Sequence, residues 1–295
     1  MTNYEESIDL KELFKYVINY KKIIIISTII FFVLGSFISL RIPDTYKASA
    51  LISTVKENSS EETNFGFSGL GGFGSFLGSN ASDRTLEGIE ILRSYKFFKN
   101  FSQKHNVTVP LFASKRWDKE NRELKIDNKL YDVEKSEWVV YDNISSEPSS
   151  LQAFEMFRNV FTVSLNDDTG YITISVEHIS PDIAKYWVDN IILEVNNIVK
   201  NEDLNQAQRS IELFNEQLTT VQLAELRSRL LDLMKGQIEI VNVANTRPEY
   251  LFKTIDPAYS PEIKHSPNRI LIILITTIFG FLSSIMFFIF RFIFK

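Results

Sequence analysis

Three histidines, His105, His178 and His265, are the side chains here that could both ligate a metal and titrate near neutral pH. A catalytic zinc would need two of them one helical turn apart with a glutamate between, or converging from nearby strands. They fall in three separate segments, and no HExxH spacing occurs. The chain has no cysteine, which excludes a thiolate nucleophile, disulfides and sulfur-ligated metals. No G-x-S-x-G elbow is present for serine chemistry. Asp167 and Asp168 could form an acidic pair, but they sit in Asn166–Gly170, where turn chemistry accounts for them. The stretch NFGFSGLGGFGSFLGS, Asn64 to Ser79, holds six of the eleven glycines, interleaved with Phe65, Phe67, Phe73 and Phe76. No Gly-Lys-Ser/Thr follows it, so it is not a phosphate loop. It reads as a loop or an apolar flap. The expectation is no catalytic set, no metal and no cofactor.

Binding or scaffolding is left, and the elements that would carry it are legible. The 295 residues exceed one ordinary domain. Net charge is -5, which implies no basic face for nucleic acid. Mean hydropathy is -0.05, an average over two very apolar ends and a polar middle.

Ile23 to Leu40 and Ile270 to Phe290 are uncharged runs of 18 and 21 residues. As helices they measure roughly 27 and 31 Å, enough to cross a bilayer. Both are apolar all round. The first is preceded by 22 residues of mixed charge and followed by RIPDTY, with no small-x-small cleavage pattern, so an uncleaved anchor is expected. Lys11, Lys15, Lys21 and Lys22 precede the first run, and Arg291 and Lys295 follow the second. Both termini are therefore expected in the cytoplasm, although Arg41 and Arg269 flank the other ends. Gly35 with Ser39, and Gly280 with Ser284, are small residues four apart, spaced for helix packing in lipid.

Between the runs, Thr45 to Val55 reads as a strand, and Arg84 to Gln103 as an amphipathic helix with Leu86, Ile89, Leu92, Phe97 and Phe101 near one side. Val160 to Leu165 and Tyr171 to Glu177 read as a hairpin. Ser180-Pro181-Asp182 is a helix start: a capping serine, proline in the first turn, an acid at the positive end. Leu204, Ala207, Ile211, Phe214 and Leu218 form a heptad-like seam. Leu223, Leu226, Leu230 and Leu233 form a second seam out of phase with it, and Thr219–Gln222 between them could be a capping box. A helical hairpin that self-associates is expected, with one bent helix as the alternative. Tyr250 to Ile255 is a closing strand able to return beside the first. Pro257, Pro261 and Pro267 then stiffen the approach to the second apolar run.

These residues resemble the Wzz-type polysaccharide co-polymerases, the chain length determinant family. The resemblance rests on IDLKELFKYVINYKKIIII at the start, on LEGIEILRSYKFFKNF and WDKENRELKIDNKLYDVEKSEWV, and on TGYITISVEHISPDIAKYWVDNIILEVN. Its most specific part is the proline-rich approach to the second apolar run, with Pro257, Pro261 and Pro267. Gly236 and Pro248 depart from the family's longer unbroken helix, which leaves the end of the second helix open. The resemblance implies a two-pass inner-membrane protein with a periplasmic domain, assembled as a homo-oligomeric ring of around eight protomers. It implies work with a Wzy-type polymerase on a lipid-linked polysaccharide, setting the chain length of O antigen or a related surface polymer. It implies no enzyme activity of its own. Export of capsule or exopolysaccharide without a kinase domain is the alternative within the family. Outside it, a membrane-anchored sensory ectodomain is the alternative. Only five residues follow the second run, so no cytoplasmic output domain is expected.

The expected architecture is α+β: two transmembrane helices flank a domain with a membrane-proximal mixed sheet and a projecting long helical hairpin. In numbers this is a cytoplasmic segment 1–22, a first span 23–40, a periplasmic domain 41–269, a second span 270–290 and a tail 291–295. The domain would hold the Gly-rich loop 64–79, a helical arm about 181–250 and a proline-rich connector 255–269.

Overall fold

The computed structural model describes residues 16, 18–55, 81–142 and 144–294. The Gly/Phe-rich stretch lies outside these described residues. The chain divides into two units, Met1–Thr45 with Lys264–Lys295, and Tyr46–Ile263.

The first unit is a helix pair, α1 (Lys21–Arg41) and α8 (Arg269–Ile293). Helix α1 ends where Ile42 turns extended, as a residue before proline must. Helix α8 begins at Asn268, whose side chain accepts from the Leu271 N–H at 3.3 Å. Both helices are long and apolar enough to cross a membrane. Ile25, Ile29 and Val33 on α1, and Leu274, Phe279 and Phe287 on α8, are exposed. Such a surface suits lipid and not water.

The second unit is an α+β domain. In chain order it comprises β1 (Tyr46–Thr54), α2 (Ala81–Arg93), α3 (Tyr95–His105), α4 (Thr108–Ala113), β2 (Ser114–Asp118), β3 (Glu123–Ile126), β4 (Tyr131–Asp132), β5 (Glu137–Trp138), β6 (Val140–Tyr141) and β7 (Ile144–Ser145). There follow α5 (Ser150–Val160), β8 (Phe161–Leu165), β9 (Ile172–His178), α6 (Pro181–Thr220), α7 (Ala224–Thr246) and β10 (Phe252–Asp256).

The main sheet has the order β10-β1-β9-β8. Every neighbouring pair is antiparallel, so the sheet is not the mixed one expected. For β8 and β9 the reason is local. Strands β8 and β9 are joined by a tight turn, which forces them antiparallel. Asn166 builds that turn: its Oδ1 accepts from the N–H of Asp168 and Thr169, and Gly170 closes it at φ 71°. The neighbouring Asp167 and Asp168 are exposed.

Alternate residues of β1 and β9, Ala48, Ala50, Ile52, Ile172, Ile174 and Val176, are buried. They pack in one core with Trp187, Val188, Ile191 and Val195 of α6 and with the phenylalanines of α3 and α5. The single amphipathic helix read at Arg84–Gln103 is two helices. Ser94 breaks it, and its hydroxyl accepts from the Phe97 N–H to cap α3. Ile89, Leu92, Phe97 and Phe101 are buried as expected, and Leu86 is exposed.

His178 ends β9 inside this core. Its Nδ1 accepts from the Ser180 N–H at 2.9 Å, and its Nε2–H donates to the Pro110 carbonyl at 3.0 Å. That pattern needs the neutral ring. Burial holds its pKa below the ordinary value of about 6.5. In the unfolded chain the ring takes up a proton below about pH 6.5, while in the folded chain it does not, so acid favours unfolding. Stability should therefore be full above pH 6.5 and decline as the pH falls from there toward the depressed folded pKa. Denaturant midpoints at pH 7.5, 6.5 and 5.5 check this: His178→Gln should show a shallower decline than the parent chain. Equal slopes would remove His178 from the account.

Candidate functional site

Three assemblies of predicted residues are the places to look: the helix pair, the proline-rich approach to it, and the α6–α7 hairpin. Among the described residues no group of three or more His, Asp or Glu is placed to hold a metal.

In the helix pair Gly35, Ser39, Gly280 and Ser284 are all buried. The glycines let the backbones meet. A Cβ added at Gly35 would overlap the Thr276 hydroxyl, and one at Gly280 would overlap the Phe31 side chain. Phe31 and Phe279 make an edge contact at 6.1 Å, and Tyr20 stacks on Phe288 at 4.6 Å.

The segments that enter this pair are stitched together. The Thr45 N–H donates to the Ser266 carbonyl and the His265 N–H donates to the Thr45 carbonyl, each at 2.8 Å. Asp44 Oδ1 accepts from Lys264 Nζ at 3.0 Å and from Arg269 Nη2 at 2.9 Å. Pro267 is buried here, after a cis peptide bond. In the domain unit, Pro257 is exposed, whereas Ala258 and Pro261 are buried. Ser260 donates to Asp182 Oδ1 at 2.6 Å. Asp182 also receives Arg122 in a two-pronged ion pair, at 2.5 and 3.1 Å. The residues after β10 are thus tied to the first turn of α6. Burial, the largest single influence, pushes the Asp182 carboxyl up, but the hydrogen bonds from Ser260 and Arg122 and the Arg122 charge together outweigh it and hold the carboxyl below its usual range.

Helix α6 starts as its sequence dictates. Ser180 Oγ accepts from the Ile183 N–H, and Pro181 opens the first turn. Its 40 residues measure roughly 60 Å. Through Val199 its buried side chains join the core, and Ala207 is the last buried position. Leu204, Ile211, Phe214 and Leu218 are half-buried. Helix α7 buries Leu230, Gln237 and Ala244, seven apart, with Leu233 half-buried.

Leu223 and Leu226 do not belong to this seam in the chain. They are 72% and 46% exposed. Leu223 lies in the three-residue link Val221–Leu223, outside both helices, and Leu226 is in the first turn of α7. No capping box forms there either. Thr219 and Thr220 donate back to the Glu216 and Gln217 carbonyls and so close α6, while α7 has no side-chain cap. The capping box is elsewhere, at Ser149 and Gln152 opening α5. Gly236 does not interrupt α7, which runs to Thr246. The helix ends because Arg247 precedes Pro248 and is extended.

Two polar anchors hold the hairpin base, and the sequence did not mark either. Asn196 is buried in α6. Its Oδ1 accepts from the N–H of Leu251 and Phe252, both at 2.8 Å, and its Nδ2 donates to the Phe252 carbonyl at 3.0 Å. One side chain thereby satisfies the backbone at the start of β10. Asp203 accepts from Arg84 at 2.5 Å and from the Tyr250 hydroxyl at 2.7 Å. Burial, and then Asp203, push the Tyr250 hydroxyl up to about 12.

Residues 6–105 match the family described as chain length determinant protein, Wzz. The comparison with curated proteins finds no match. Among solved structures, a full-length bacterial polysaccharide co-polymerase is 12% identical, with 96% of this chain and 97% of that chain covered and a TM-score of 0.40. A fragment of WzzB, a polysaccharide co-polymerase from Salmonella Typhimurium, is 13% identical, with 76% of this chain and all of that chain covered and a TM-score of 0.27. The matched residues 6–105, which include α1, β1, α2 and α3, are similar to the Wzz chain length determinant family.

Proposed function

We propose that this chain is a non-catalytic regulator of surface polysaccharide chain length, working as an oligomeric partner of a Wzy-type polymerase at a bacterial inner membrane. The observation that carries the reading is the chain length determinant match over residues 6–105. Two apolar helices at the ends of the chain and an α+β domain with a long hairpin between them are consistent with it. Both termini face the cytoplasm and the domain faces the periplasm. Protomers associate through the hairpin, whose exposed Leu213, Leu223 and Leu226 are available to neighbours. Assembly geometry biases when extension of the lipid-linked glycan stops. O antigen is the preferred polymer.

The test is complementation of a Wzy-dependent strain that lacks its own regulator, with the lipopolysaccharide resolved on a gel. A clustered band pattern is expected. A random ladder, from folded membrane-inserted protein supplied with its native polymerase, would overturn the reading in favour of export.

The prolines give a second expectation. Changing Pro257, Pro261 and Pro267 together to alanine loosens the approach to α8, since each proline fixes its own φ and restrains its predecessor. The modal length should broaden or shorten at unchanged expression. An unaltered ladder would remove the prolines from the mechanism.

A further inference from the structure

A cleft of about 440 Å³ opens in the domain unit. Its volume lies within the roughly 300–1,000 Å³ typical of small-ligand clefts. Three elements meet there. The outer face of α3 supplies Lys99 and Gln103, and its C-cap supplies Asn106. The β4–β5 hairpin supplies Tyr131 and Trp138, and the segment before α5 supplies Glu147.

The two aromatic rings are fixed. Tyr131 and Trp138 are a cross-strand pair, packed edge to face at 5.3 Å. Asp132 Oδ1 holds the turn between them by accepting from the N–H of Glu134 and Lys135. Ser146 braces the hairpin by donating to the Leu130 and Val139 carbonyls, both at 2.7 Å.

The polar groups around the rings are uncommitted. Among the described residues, the Gln103 and Asn106 side-chain amides, the Lys99 ammonium, the Glu147 carboxylate and the Trp138 indole N–H have no side-chain hydrogen bond within the chain. Amides both donate and accept, the indole donates, and the carboxylate accepts. A pyranose ring asks for this combination. It has an apolar C–H face that lies on an aromatic ring, and an equator of hydroxyls that each donate and accept. The charges argue against an anion: one ammonium is offset by one carboxylate. A lipid chain would leave the amides unused.

We propose that this cleft is a saccharide-binding subsite, with Trp138 and Tyr131 as the platform and Gln103, Asn106 and Glu147 reading the hydroxyls of one or two uncharged sugar residues. The inference rests on the reading that the partner is a glycan, and adds that the chain grips it directly at this place.

The experiment uses the full chain in detergent micelles. The probe is the oligosaccharide of one to three repeat units released by mild acid from the surface polysaccharide of the producing strain. Binding is followed by saturation-transfer NMR and by tryptophan fluorescence. Saturable binding is expected, weakened about tenfold or more in Trp138→Ala and again in Gln103→Ala, a change of about 1.4 kcal/mol or more. Gln103 is exposed on a helix, so that variant keeps the fold even where loss of the indole disturbs the hairpin. Trp117→Phe, outside the cleft, should bind as the parent does. Absence of binding by the parent, binding indifferent to both cleft variants, or displacement by inorganic phosphate would each overturn the subsite. The complementation assay run in parallel separates the two readings. Length control without oligosaccharide binding sinks the cleft alone. Cleft-dependent binding without length control sinks the proposed function and leaves the subsite standing.

Discussion

Asn196→Ala should destabilise the chain by about 3 kcal/mol, at roughly 1 kcal/mol for each of three lost hydrogen bonds and with buried backbone groups left unpaired. The side chain is 3% exposed and reaches the N–H of Leu251 and Phe252 and the carbonyl of Phe252. For a domain of this size the midpoint of thermal unfolding should fall by roughly 6–12 °C. In urea the midpoint should drop with the slope unchanged, since the exposed surface on unfolding is the same. Asn205→Ala, on the exposed side of the same helix, is the matched control and should be close to neutral. Equal small effects at both positions would mean that the Asn196 bonds contribute no more than water does.

Gly35→Ile and Gly280→Ile should separate the helix pair. Even a methyl at either position overlaps its neighbour, the Thr276 hydroxyl or the Phe31 side chain. In lipid no hydrophobic force drives the helices back together, so lost close packing is lost association. The readout uses the absence of native cysteine. Tyr20→Cys with Phe288→Cys, which replaces the stacked ring pair, should cross-link with a short bifunctional maleimide in the parent background. Each isoleucine variant should lower that yield about tenfold, equivalent to about 1.4 kcal/mol of pairing free energy. Gly35→Ala should fall between. An undiminished yield in both isoleucine variants would show that the helices hold together by other contacts.

Local chemistry made much of the architecture readable. Ser180-Pro181-Asp182 announced α6 because cap, proline and acid all act within one turn. The β8–β9 hairpin was legible from alternation around a turn, although Asn166 and not the aspartates makes the bonds. The two apolar helices needed only length and composition. What was hidden depends on partners distant in sequence. Asn196 sits beside Asn197 in the chain and cannot be told from it until β10 arrives. Ser94 reads as one polar residue on an amphipathic helix, but the chain bends there. Leu223 and Leu226 fit a heptad count that the three-residue link interrupts. The cleft joins Gln103 to Trp138, residues on an α-helix and on a two-residue strand, and no period connects them. The same applies to Asp44, which meets Lys264 and Arg269 only because the two chain segments entering the helix pair are paired.

The order of the main sheet has a consequence for synthesis. Strand β1 lies between β9 and β10, and Leu51 pairs with Asp256, 205 residues later (256 minus 51). At roughly 5–20 residues per second, β1 waits about 10–40 s after leaving the ribosome before that partner exists. Throughout that interval the edge of β1 that faces β10 is unpaired. The strand made first is the one enclosed last, so a nascent chain that stalls before β10 is the form most exposed to aggregation and to quality-control proteases.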